Sequence, residues 1–274
     1  MKWAYIIDGS ESTYISDSKC RFLESEITEV NTKTNEQEIG GVDGVLVGSN
    51  TFDSFELTLK FYYNGVDNSD LILFTEKIKK IIHTRSIMYV IHSDMPGRKY
   101  AFNSAKIEWE KITNSDMTFS IIFNCFKGYS ESIYDTSHIR NNDNTWQFGS
   151  GMEFNDDSLI YKHTTSGFKI FNGSDDKIDP LLNHKLIIYI NIDAPNGFIL
   201  WNRTTDEQFI YRKPVESSQA FTIKGVHPLL DGQRVGHNSN WQWITLEKGY
   251  NDFQFLGDGI SNINVEFVFN YIYR

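Results

Sequence analysis

Apolar and polar positions alternate over several stretches of the chain. The clearest stretch places Phe55, Leu57, Leu59, Phe61 and Tyr63 on one face and Glu56, Thr58, Lys60 and Tyr62 on the other. A period of two is that of a half-buried β-strand, whose successive side chains point to opposite faces. Met117, Phe119, Ile121, Phe123 and Cys125 repeat it, and the run Ile263, Val265, Phe267, Phe269, Tyr271 and Tyr273 predicts a final strand. Further strands are expected near residues 87–92, 107–109, 186–192, 198–201, 209–211 and 253–255. One stretch departs from this period: Leu71, Phe74, Ile78, Ile81 and Ile82 recur at three and four residues, with Glu76, Lys77, Lys79 and Lys80 opposite them. That spacing predicts a single amphipathic helix, capped by Ser69 or Asp70, with its lysines near the negative end of the helix dipole.

Turn residues punctuate these elements. Met95-Pro96-Gly97 sets Pro and Gly for a type II turn, and Pro195-Asn196-Gly197 reads as a second tight reversal, so both are expected at hairpin tips. The stretch 130–144 is polar and irregular, which places a domain boundary near residue 134. Residues 1–133 then read as an α+β domain, a sheet with one helix. Residues 134–274 carry many short strands with turn signals every 8 to 12 residues or so, the pattern of a β-sandwich. The fold class is mainly β.

Composition agrees with this pattern: 40% hydrophobic and 15% aromatic residues, with 20 Phe and 14 Tyr, suit buried sheets. The formal charge of −10 is shared between the halves, 14 Lys/Arg against 19 Asp/Glu in residues 1–134 and 12 against 17 in the remainder. Such a surface does not condense onto phosphate, which argues against adhesive nucleic-acid binding. Neither a secretory leader nor an apolar run of membrane-spanning length is seen, so folding in a reducing cytoplasm without membrane insertion is expected. The two cysteines, Cys20 and Cys125, are expected reduced, and the Asn172 and Asn202 glycosylation patterns read as chance matches.

Chemistry is sparse. There is no nucleophile elbow, no zinc-type cysteine pair, no phosphate-cradling glycine loop, and no histidine pair spaced to face one side of a helix. The chain is therefore expected to be a non-enzyme without cofactor or metal. The carboxylate pairs Asp156-Asp157 and Asp175-Asp176 are the only trace of a hydrolase, and such pairs in polar loops are usually solvated turn residues. Of the second-half tryptophans, which include Trp146, three are candidate carbohydrate or subunit contacts. Trp201 falls opposite Phe198 and Leu200, while Trp241 and Trp243 should point the same way. An acidic run in the first half, Glu24, Glu26, Glu29, Glu36 and Glu38, reads as a solvated outer face.

The order of elements resembles the distal tail protein of siphophages over nearly the whole chain. The resemblance rests on Gly41-Val42-Asp43-Gly44, the alternating strand from Phe52, the helix near Asp70, Gly97-Arg98-Lys99-Tyr100, and Tyr129-Ser130. In the second half it rests on Pro180, residues 199–205, and Leu246-Glu247-Lys248-Gly249-Tyr250-Asn251-Asp252-Phe253. It implies an N-terminal ring (belt) domain, a galectin-like C-terminal sandwich and a homohexamer at the virion tail tip. The implied partners are the tail tube and tape-measure proteins and a tail-associated hub or lysin protein, with DNA passing unbound through a channel that the implied ring would line with Glu24, Glu26, Glu29, Glu36 and Glu38 as candidates, repelling DNA. Residues 134–165, with Trp146-Gln147-Phe148-Gly149, precede the sandwich pattern and read as an extension. A free carbohydrate-binding module attaching to the host through exposed tryptophans is the alternative reading, and a polysaccharide hydrolase a third.

Overall fold

The computed structural model describes residues 2–41, 43–138 and 159–274. It divides into two compact units, Met1–Ser130 with Arg274, and Glu131–Tyr273. The chain is mainly β, with one long α-helix among the described residues.

The first unit faces two antiparallel sheets against each other. One contains the strands Glu11–Tyr14, Ala4–Asp8, Met88–His92 and Arg98–Phe102 as neighbours in that order. The other runs Ser104–Lys111, Asp116–Cys125, Phe55–Asn64, Cys20–Ile27. Phe55–Asn64 and Asp116–Cys125 are the long strands expected from alternation, and they pair over ten residues, with Leu59 opposite Ile121. Their apolar faces supply the core, where Leu57, Leu59, Phe61, Ile121 and Phe123 are wholly buried. Phe102 meets Phe123 edge-on at 4.7 Å, and Phe22 meets His92 at 5.9 Å, so the aromatics interlock the two sheets.

The helix is Asn68–Ile82 and buries Leu71, Phe74, Ile78 and Ile82. Phe74 stacks on Tyr63 at 3.7 Å, fastening the helix to the second sheet. The cap is Asp67, not Ser69 or Asp70: its side chain accepts the N–H of Asp70. Asp70 instead turns back, accepting the Val66 N–H at 2.9 Å and the Tyr63 hydroxyl at 3.1 Å.

The second unit is a sandwich. Lys162–His163, Ser261–Phe269, Leu186–Asp193, Phe221–Lys224, His227–Leu230 and Gln233–Arg234 form one sheet, and Gly167–Asn172, Gly249–Leu256, Phe198–Asn202 and Glu207–Tyr211 the other. Phe253 and Phe267 meet across the layers at 4.8 Å, as do Phe198 and Phe221 at 5.1 Å.

Three expectations change here. The Met95-Pro96-Gly97 turn does join paired strands, with Arg98 N–H donating to Met95 O, but Gly97 is not in the positive-φ region that a type II turn requires. Pro195-Asn196-Gly197 is no hairpin tip, because the strands on either side belong to different sheets. Gly197, at φ 81°, passes so close to Tyr211 that a Cβ would lie 2.1 Å from the Tyr211 carbonyl oxygen. The final strand ends at Phe269: Asn270 breaks it by turning its side-chain amide to the Ser132 and Tyr134 carbonyls, and Ile272–Tyr273 is a separate strand. Trp146, Asp156, Asp157 and most of the extension 134–165 lie outside the described residues.

Candidate functional site

Between Cys20–Ile27 and Phe55–Asn64 the first unit sends out an arm. Two small two-stranded sheets build it, Thr32–Lys33 with Thr51–Phe52, and Glu36–Glu38 with Val45–Val47. Its turn carries Gly40, Gly41 and Gly44, the last two at φ 86°, a region only glycine enters freely. Every residue of these four strands is exposed, apolar ones included: Val45 is 45%, Leu46 58% and Val47 63% exposed, with Ile39 and Phe52 beside them. A two-stranded ribbon has no second layer of its own to bury such side chains. The sequence reading missed this arm, although Glu36-Gln37-Glu38 and Val45-Leu46-Val47 about a glycine-rich turn are a hairpin signal.

The five acidic candidates do not form one cluster. Glu24 and Glu26 stand on the strand Cys20–Ile27 and share Lys60, at 2.8 and 3.8 Å. The hydrogen bond from Lys60 holds the Glu24 carboxyl below its ordinary pKa and raises that of Lys60. Glu29 lies beyond the strand, and Glu36 and Glu38 ride on the arm, all three exposed.

The tryptophans also part company. Trp201 is half-buried on the outward face of its strand; its indole N–H donates to Asp206 at 3.0 Å, and the Arg203 guanidinium sits 5.8 Å from the ring. Trp241 and Trp243 are not on a strand, so the same-face expectation fails: Trp241 is 71% exposed and Trp243 half-buried. Asp176 caps the N–H of Lys177, as a turn residue does.

No group of three or more His, Cys, Asp or Glu able to hold a metal ion occurs among the described residues. Both cysteines are free and buried, and burial pushes their thiols up to about 12, which removes them as nucleophiles. No described helix is long and apolar enough to cross a membrane.

Comparison with known proteins places these features. Residues 7–125 match the family described as phage tail protein RIFT-related domain. No curated protein matches the chain in sequence. Among solved structures, the Dit (gp 19.1) protein of phage SPP1, described as a paradigm of the hub adsorption apparatus in phages infecting Gram-positive hosts, aligns with a TM-score of 0.64 at 13% identity, covering 99% of each chain. A chain of the activated phage p2 baseplate aligns at 0.44 and 11% identity over 98% of each. Residues 7–125 thus resemble the phage tail protein RIFT-related domain, and the chain over its whole length shares the fold of the SPP1 Dit protein.

Proposed function

We propose that this chain is a structural, non-enzymatic subunit of a phage tail tip, closing as a homohexameric ring between the tail tube and tape-measure proteins on one side and a tail-associated hub protein on the other. The exposed arm carries this reading. Four large apolar side chains, Ile39, Val45, Leu46 and Val47, stand in solvent on one thin ribbon. Soluble monomers rarely leave such a patch uncovered. An arm gripping a different surface of the next copy makes a head-to-tail contact, and head-to-tail contacts close into rings when the rotation permits. Ring closure then belongs to the first unit, and the second is an outward passenger. Glu24, Glu26, Glu29, Glu36 and Glu38 face the passage in this arrangement and keep DNA sliding.

Light scattering on the whole chain tests the ring. Wild type should weigh six times the 31.8 kDa subunit. Leu46→Asp with Val47→Asp, on side chains that no core needs, should leave a folded monomer. A wild type that stays monomeric at micromolar concentration, or a double variant that still forms the ring, overturns the proposal.

A further inference from the structure

Two independent features mark Trp241. It is the only strongly exposed large apolar side chain between Tyr189 and Tyr250. It also holds φ at 60°; the other non-glycine residues with positive φ among the described residues are Asn183, Asp206, Asp231 and Asn262, the types that tolerate this region. A bulky aromatic there is strained, and such strain persists only where the surroundings over-determine it.

The surroundings do so. Ser239 Oγ accepts the Trp241 N–H at 3.2 Å. The Asn240 side chain grips the neighbouring edge strand, accepting the Ile210 N–H at 3.0 Å and donating to Gln208 O at 2.7 Å. The indole lies over Gly236, where a Cβ would come within 3.2 Å of Cζ3. The ring is therefore fixed at its base and open to solvent above. Nothing in the core uses it.

We propose that Trp241 is a stacking platform for one pyranose ring of a surface saccharide. The axial C–H face of a pyranose is apolar and close to the area of an indole, while its rim hydroxyls require polar partners, for which Gln242, the next residue and exposed, is the candidate. A protein partner fits less well, because interface cores are contiguous apolar patches and the chain neighbours of this ring, Ser239, Asn240 and Gln242, are polar. A rigid platform also loses little entropy on binding, which offsets the small contact area. The site does not depend on the ring assembly.

Saturation-transfer NMR on the whole chain, with cellotetraose, maltotetraose and chitotetraose as probes, tests the site. At least one probe should receive saturation at its ring C–H protons, with a Kd near 1 mM, about −4 kcal/mol. Trp241→Ala should weaken it about tenfold or more, and Trp241→Tyr should keep most of it, as expected when one stacking contact carries the site. Gly236→Val, which lifts the indole off its seat, should weaken binding with the ring still present. Absence of transfer to all three probes, or equal transfer in Trp241→Ala, overturns the proposal. So does a lower solution mass in Trp241→Ala, which would make the ring a subunit contact.

Discussion

His92 shows how a single buried side chain sets a pH limit on the first unit. It is fully buried, stacked on Tyr100 at 5.5 Å and edge-on to Phe22, and neither ring nitrogen has a hydrogen-bond partner. Burial lowers its pKa to about 4; Asp94 opposes this shift and Lys2 adds to it. The fold therefore holds the neutral imidazole, whereas the unfolded chain protonates near 6.5. Between these values the unfolded state binds the extra proton, so stability is full above about 6.5 and declines as pH falls toward 4. The full shift corresponds to roughly 3 kcal/mol. Denaturant unfolding at pH 7 and pH 4.5 should show most of that loss in wild type and a much smaller one in His92→Leu. Equal losses in both would mean that His92 is charged or solvated in the folded state.

At the level of elements, the helix depends on a cap that alternation could not locate. Asp67 accepts the Asp70 N–H at 2.9 Å, and Asp67→Ala should cost about 1 kcal/mol, whereas Ser69→Ala, on an exposed residue, should cost close to nothing. Thermal melts of the two variants separate these outcomes. The helix itself and the strands Phe55–Asn64 and Asp116–Cys125 were legible because one face of each is continuously apolar and buried. Cys20–Ile27 was not. A bulge between Phe22 and Glu24 shifts the register, leaves Leu23 43% exposed and breaks the alternation after two residues. The arm was missed for a different reason, although its hairpin signal was present. Reading apolar residues as core fails for Val45, Leu46 and Val47, which are apolar and lie in solvent. The strain at Trp241 has no sequence signature, since its backbone is set by Ser239, Asn240 and Gly236 together.

For the whole molecule, the formal charge of −10 and pI near 5.2 bear on what would pass through the proposed ring. The division into two units falls at Ser130 and Glu131, and both halves carry the same sign. Six copies lining a passage would repel DNA from all sides, and exposed charges act over about 10 Å at 0.1 M salt before screening removes them. Glu24 and Glu26 are partly compensated by Lys60, so the uncompensated field of the five comes chiefly from Glu29, Glu36 and Glu38. Virions carrying Glu29→Lys, Glu36→Lys and Glu38→Lys should therefore eject DNA several-fold more slowly at 20 mM salt, while Glu24→Gln with Glu26→Gln should change the rate less. The slowing should fade at 0.5 M salt, because counterions then neutralise the contacts between lysine and phosphate. Ejection that is slow at every salt concentration would point to a damaged ring, and ejection at the wild-type rate throughout would place these three residues away from the DNA path.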